Sequence, residues 1–196
     1  AAGKVRDDLV SGIDISAATL ALAGVDIPAS FEGRDMFATD YHRDHVVSAR
    51  DRCDYTIDRV RAVRTDRYSY LRNFLTDRPF MQPQYRDGRP CIEVPRKMHQ
   101  NGKLNEMQAF MWSETRLPEE LYDLKDDPHE TNNLVNDPKY AKVLQQHRDI
   151  LETWIEATDD KGQYPEAAES LRGVLTRWDK QAVNPEYDRV RNEQKQ

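Results

Sequence analysis

The chain has 196 residues, 38% hydrophobic and 33% charged, with a net charge of −6 at neutral pH. That length fits one large domain, or one domain with a piece of another, and is sufficient to bury a core. The acidic balance excludes a general nucleic-acid binder, although Arg59, Arg61, Arg64, Arg67 and Arg72 form a local basic stretch.

The longest apolar run, Ile15 to Val25, is interrupted by Ser16 and Thr19 and falls short of the ~20 residues a spanning helix needs. No membrane span is expected. The chain opens on Ala1-Ala2-Gly3-Lys4 with no methionine and no leader pattern, so its natural N-terminus is expected to lie elsewhere. Two cysteines, Cys53 and Cys91, make no disulfide framework. Two free, buried thiols are expected, with pairing in an oxidising compartment as the alternative. No CxxC or HxxxH spacing points to zinc.

Ser11-Gly12-Ile13-Asp14 reads as a capping box, opening a helix that runs to Gly24. The helix is apolar on most faces and asks for a covering layer. His45 to Ala49 is a short strand. Thr56 to Arg64 is a second, with Val60 and Ala62 alternating against Arg59 and Arg61 in the half-buried pattern. Thr65-Asp66-Arg67 is a turn-sized gap before the aromatic strand Tyr68 to Phe74, and the pair predicts an antiparallel hairpin.

Residues 76–97 hold four prolines and read as a long irregular segment serving a site or an interface. Met98 to Trp112 is helical by the spacing of Leu104, Met107, Phe110 and Met111, and Glu120 to Leu124 is a strand. Asp127-Pro128-His129-Glu130 reads as a helix start, and Asn136-Asp137-Pro138 as another. The second opens an amphipathic helix with Tyr140, Val143, Leu144, His147, Leu151, Trp154 and Ile155 on one stripe, ending at Asp159 to Gly162. The remainder is polar with a weak stripe at Leu171, Val174, Leu175 and Trp178. Its last ten residues are expected to be disordered or wrapped on a partner. The order implies α+β architecture: a small antiparallel sheet packed with helices.

Three stretches resemble the formylglycine-dependent (type I) sulfatases. ELYDLKDDPHETNNL (Glu120 to Leu134), within LPEELYDLKDDPHETNNL (Leu117 to Leu134), is similar to the family's final strand and turn and is the most specific. LVSGIDISAATLALAGVDIP (Leu9 to Pro28) with FEGRDM (Phe31 to Met36) resembles the last helix of its large α/β, alkaline-phosphatase-like domain and the following loop. RVRAVRTDRYSYLRNF (Arg59 to Phe74) resembles the strand pair opening the C-terminal subdomain. ARDRCDYTIDRVRAVRT (Ala49 to Thr65) is closest to the heparan N-sulfatase-like branch. The resemblance implies three parts: residues 1–40 as the end of the α/β catalytic domain, 41–160 as the C-terminal α+β subdomain, and 161–196 as an extension outside the resemblance.

In that family a cysteine or serine within C/S-x-P-x-R becomes formylglycine, whose hydrate attacks sulfur beside a calcium ion held by Asp and Asn side chains. No such motif occurs here: Cys53 is followed by Asp54 and Tyr55, and Cys91 meets its next proline only at Pro95. No catalytic residue and no metal ligand is therefore assigned; Ca2+ and formylglycine are expected in the parent enzyme, outside this chain. Asp126-Asp127 and Asp159-Asp160 lie at predicted helix ends and are read as capping or solvated carboxylates. The substrate-binding candidates are Arg50, Asp51, Arg52 and Asp54, placed directly after a strand, because guanidinium groups grip sulfate and carboxylate bidentately. His99, following the long loop, is the fifth. The competing reading of the Arg50 cluster is a structural ion-pair network with Arg59 or Arg61.

The resemblance implies two partners, the N-terminal catalytic portion of the same protein and a sulfated small molecule or glycan, and a periplasmic, secreted or lysosomal setting. Two alternatives stand beside it: a phosphonate or phosphate monoester hydrolase of the same superfamily, and a non-catalytic interaction or oligomerisation module.

Overall fold

The computed structural model describes residue 3 and residues 5–193. The leader reading at Ala1, Ala2 and Lys4, and the disorder reading for residues 194–196, lie outside the described residues. In chain order the elements are α1 (Asp14–Leu22), β1 (Val46–Cys53), β2 (Thr56–Arg64), β3 (Tyr68–Asn73), α2 (Pro90–Gln100), α3 (Glu106–Phe110), β4 (Glu119–Asp123), α4 (Ala141–Thr158), α5 (Ala168–Trp178) and α6 (Pro185–Glu193). Short 3-10 turns at Pro138–Tyr140 and Asp179–Gln181 lead into α4 and out of α5. The strands form one sheet in the order β1-β2-β3-β4. This is the expected small antiparallel sheet with helices. No described helix is long and apolar enough to cross a membrane.

The chain divides into two compact units. Unit 1 is residues 1–48, 62–70 and 121–151; unit 2 is residues 49–61, 71–120 and 152–196. Residues 161–193 share a unit with the hairpin turn of β1 and β2.

In unit 1, α1 starts close to where its capping signature falls, but only half the box forms. The Asp14 carboxylate accepts from the Ser11 amide at 2.9 Å, while no side chain caps the helix start. Asp14, fully buried, also accepts from the Arg34 amide (2.8 Å), the Tyr41 hydroxyl (2.7 Å) and Arg43 Nε (2.7 Å). Burial works to raise its pKa, but these donors, Arg43 foremost, hold it well below the usual carboxylate range. The apolar residues of α1 divide sharply: Ala17 and Ala18 are buried, whereas Ile15 and Leu22 are exposed.

The amphipathic helix α4 forms as its stripe predicts, opened by Asp137, which accepts from the Lys139 amide at 2.9 Å. It buries Leu144, His147 and Leu151. The other start, at Asp127, opens no helix. The Asp127 carboxylate instead takes the amides of Thr131 and Asn132, and Glu130 adopts φ 56°, a left-handed conformation that stops helical propagation.

In unit 2 the tail is the core. Leu171 and Val174 of α5, Ala182, and Tyr187 and Val190 of α6 form one buried cluster with Tyr55 and Ile57. The Tyr187 hydroxyl donates to the Tyr55 carbonyl at 3.0 Å, and burial pushes its pKa up to about 12. The Ile57 amide donates to the Asn184 side chain at 3.0 Å. The disorder reading therefore fails for residues 187–193, because a short polar helix gains order once Tyr55, Ile57 and the apolar face of α5 cover it. The segment expected to be irregular contains α2: Pro90 takes the first helical position, and Pro95 forfeits a single amide bond one turn later. The helix expected over residues 98–112 is split by the Asn101-Gly102 turn, and α3 restarts with its own capping box, Asn105 and Gln108. Both cysteines are free as expected, but exposed rather than buried.

One measurement tests the packing of unit 1. The His147 ring lies between the Val143 carbonyl (2.8 Å from Nδ1) and the Thr65 hydroxyl (3.3 Å from Nε2), against Tyr68 and Tyr70. Burial pushes its pKa below the ordinary value; the Val143 carbonyl counteracts this, and the charge of His45 adds to it. The unfolded chain then binds more protons than the folded one below about pH 6.5, so stability is complete above that value and falls as the pH drops through it. The urea midpoint is expected to decline between pH 7.5 and 5.5, and less steeply for His147→Gln. Equal slopes for the two proteins would refute it.

Candidate functional site

The β1–β2 hairpin places the sequence candidates, and it differs from expectation in one decisive way. Strand β1 extends to Cys53, so Arg50, Asp51 and Arg52 lie inside an edge strand rather than after it. Their side chains therefore alternate between the two faces. Only Asp54 sits in the turn, at φ 53°, which Asp tolerates better than most residues.

The neighbouring strand β2 inverts the half-buried pattern. Arg61 is fully buried and Arg59 nearly so, while Val60 and Ala62 are only partly covered. Periodicity registers which residues alternate, not which face is inside, and here carboxylates allow the arginine-bearing face to be buried. Arg61 Nη1 donates to Asp51 at 2.8 Å, and its Nε and Nη2 donate to the two Asp160 oxygens at 2.9 and 2.8 Å. Burial works to lower the Arg61 pKa, but Asp160 and Asp51 outweigh it and leave it raised. Arg61 in turn holds the Asp160 carboxyl below its usual range. Arg59 lies 3.7 Å from Glu186, which Arg78 grips with two bonds of 3.0 Å.

On the other face, Asp58 is buried and receives two bonds from buried Arg116, at 2.6 and 3.2 Å. Arg50 Nε stands 3.7 Å from the same carboxylate, with half its side chain exposed.

The five candidates thus separate. Asp51 is committed to Arg61. Arg52 is held by Glu166 at 2.9 and 3.2 Å and donates to the Asp54 carbonyl at 2.7 Å. These two line a concavity of about 490 Å³ whose far side is Lys161 to Ala167. Asp54 lies beside Arg52 and Arg177 in a shallower depression. Arg50 alone opens onto a basin of about 500 Å³, whose other walls include Phe80, Tyr85 and Arg86. His99 lines none of these; it is exposed near the end of α2, stacked on Trp112 at 6.0 Å.

Sequence reasoning missed Asp58, Arg86 and Arg116. Asp58 lies within the quoted ARDRCDYTIDRVRAVRT stretch, and the proline-rich flank of Arg86 was a usable signal. Arg116 carries none, because its partner is 58 residues away. The acidic pairs are engaged rather than free: Asp126 faces Arg67, Asp127 takes two amides, Asp159 pairs with Lys161 and Asp160 with Arg61. Among the described residues no group of three or more His, Cys, Asp or Glu is arranged to hold a metal ion.

The fold and these sites define a small α+β module rich in guanidinium–carboxylate pairs. No family model matches the chain. It is 32% identical over 163 residues to an ulvan-active sulfatase of Formosa agariphila, covering 81% of this chain and 27% of that protein. It is 51% identical over 41 residues to human N-sulphoglucosamine sulphohydrolase, covering 21% of this chain. A solved 2-O GAG sulfatase matches its fold with a TM-score of 0.56 at 24% identity, over 83% of this chain and 28% of that one. The chain is similar to these sulfatases and spans about a quarter of the length of the ulvan-active one.

Gly162 gives the ion-pair reading a direct test. A Cβ there would lie 1.4 Å from Arg61 Nη2 and 2.8 Å from Asp51 Oδ1. Arg61 is buried and cannot swing away without leaving Asp160, so Gly162→Ala is expected to lower the unfolding free energy by ~1–3 kcal/mol. Denaturant titration measures it, and wild-type stability would show the guanidinium is not locked.

Proposed function

We propose that this chain is the C-terminal portion of a sulfatase that hydrolyses sulfate esters or sulfamates of a sugar or related organic sulfate. In that role it supplies part of the cleft wall and supports the catalytic domain. The observation that carries the reading is the 32% identity to the ulvan-active sulfatase across 81% of this chain. The similarity to the N-sulphoglucosamine sulphohydrolase keeps the sulfamate alternative in view.

The chemistry the family resemblance implies, a formylglycine nucleophile and a calcium ion, is assigned to the remainder of the parent. The residues here do not fit either group. No C/S-x-P-x-R occurs, and the paired acids are taken up by Arg67, Arg61, Lys161 and backbone amides. What this chain offers chemically is anion recognition. Arg50 is the best placed to provide it, since Arg116 already neutralises Asp58, the carboxylate 3.7 Å from it.

The 196-residue chain is expected to release no sulfate from an aryl sulfate in the presence of calcium; turnover above a buffer blank would refute that. In the full-length parent, Arg50→Ala is expected to lower kcat/KM about tenfold, equivalent to ~1.4 kcal/mol of lost transition-state interaction, with little change in Tm. Asp51→Ala is expected to do the reverse, lowering Tm by uncovering Arg61. Unchanged kinetics with a lowered Tm for Arg50→Ala would return Arg50 to the structural network.

A further inference from the structure

The Arg50 basin does not end at a wall. Two of its residues, Gln84 and Tyr85, also form one side of a second groove, of about 420 Å³, whose opposite side carries Trp178 and Gln181. Each concavity by itself is of small-ligand size. Sharing a rim, they make one continuous surface within unit 2.

The groove differs chemically from the basin. Tyr85 is 38% exposed, and Trp178, half-buried, meets Tyr55 edge-on at 5.2 Å. Side-chain amides (Gln84, Gln181) stand beside these rings. Aromatic faces next to amide donors and acceptors suit a pyranose, whose C–H face packs on a ring while its hydroxyls take hydrogen bonds.

Charge supplies the second observation. Arg86 lies over the Tyr85 ring at 4.9 Å, and Arg177 over the Trp178 ring at 5.1 Å. Neither pairs with a carboxylate among the described residues, and Arg50 has only the 3.7 Å approach to an acid that Arg116 already holds. In a chain of net charge −6, most of whose other arginines are tied to acids, Arg50 and Arg86 on the basin, with Arg177 in the adjoining depression that shares Trp178 with the groove, leave positive charge that an external anion would complement.

We propose that the Arg50 basin and the Tyr85–Trp178 groove together bind one sulfated oligosaccharide, with a sulfated unit in the basin and the adjoining sugar ring in the groove. Arg86 and Arg177 then meet further anionic groups along the saccharide. The choice of sulfate as the anion rests on the sulfatase reading above; the requirement for more than one sugar comes from the shared rim.

The test is calorimetric titration of the 196-residue chain with three probes: a heparin-derived sulfated tetrasaccharide, its desulfated counterpart, and a sulfated monosaccharide. The sulfated tetrasaccharide should bind at least tenfold more tightly than either of the others. Tyr85→Ala, on the rim the two concavities share, should weaken the tetrasaccharide, and Gln181→Ala, at an exposed position that lines the groove and not the basin, should weaken the tetrasaccharide while leaving the monosaccharide affinity unchanged. Arg177→Gln should weaken the tetrasaccharide and flatten its salt dependence. Absence of binding, equal affinity for tetrasaccharide and monosaccharide, or wild-type affinity in Tyr85→Ala would each overturn the proposal. Sulfate release by the full-length parent reports separately. An inert parent with intact saccharide binding contradicts the sulfatase reading alone, and an active parent with no binding here contradicts this inference alone.

Discussion

Strand β2 buries three charges within four residues, Asp58, Arg59 and Arg61, and much of unit 2 is arranged to neutralise them. A buried unpaired ion is among the costliest defects a fold can carry, and removing one member of a buried pair typically costs ~3–5 kcal/mol. Each of these charges recruits a partner from far along the chain: Arg116 for Asp58, Glu186 for Arg59, Asp160 for Arg61. The residues after 152 are thereby drawn onto the hairpin. The apolar cluster of Ile57, Leu171, Val174, Tyr187 and Val190 closes over the same strand. Ion pairing sets which segments meet, and apolar burial provides the larger share of the stabilisation.

The same neutralisation decides which arginines remain available for recognition. Arg52, Arg61, Arg78 and Arg116 have close carboxylate partners, at 3.0 Å or less in each case. Arg50, Arg86 and Arg177 do not. Arginines that look alike in the sequence thus fall into two populations, one paired with acids and one open to solvent. The distinction carries both functional readings above. A guanidinium saturated by fixed acids has few donors left for a sulfate, whereas one stacked on an aromatic ring keeps its donor edge free.

Legibility in the sequence followed the range of the interaction. Helix α4 was readable because its stripe and its Asp137-Pro138 start are both local. The β2–β3 hairpin was readable for the same reason. Asp127-Pro128 misled because a capping carboxylate satisfies amides equally well in a loop, and Glu130 leaves helical geometry two residues later. The tail misled because α5 and α6 carry too few apolar residues to stand alone. Their partners, Tyr55 and Ile57, lie more than a hundred residues upstream. Among the site candidates, Arg50 was identifiable by residue type, and the commitment of Asp51 to Arg61 was one of two readings left open.

By itself the sequence determined the α+β class, the sheet strands to within a few residues, the amphipathic helix, the absence of a C/S-x-P-x-R nucleophile motif and the resemblance to sulfatases. All of these depend on residue identity and short-range periodicity, which the chain carries with it before it folds. Only the tertiary structure decided that Arg59 and Arg61 of β2 are buried, with Asp58 buried on the opposite face, that the tail completes the core of unit 2, and that Arg50 opens to a basin while Arg61 is sealed. Those outcomes turn on which distant carboxylate reaches which guanidinium, and a period-2 pattern is the same whichever face is turned inward.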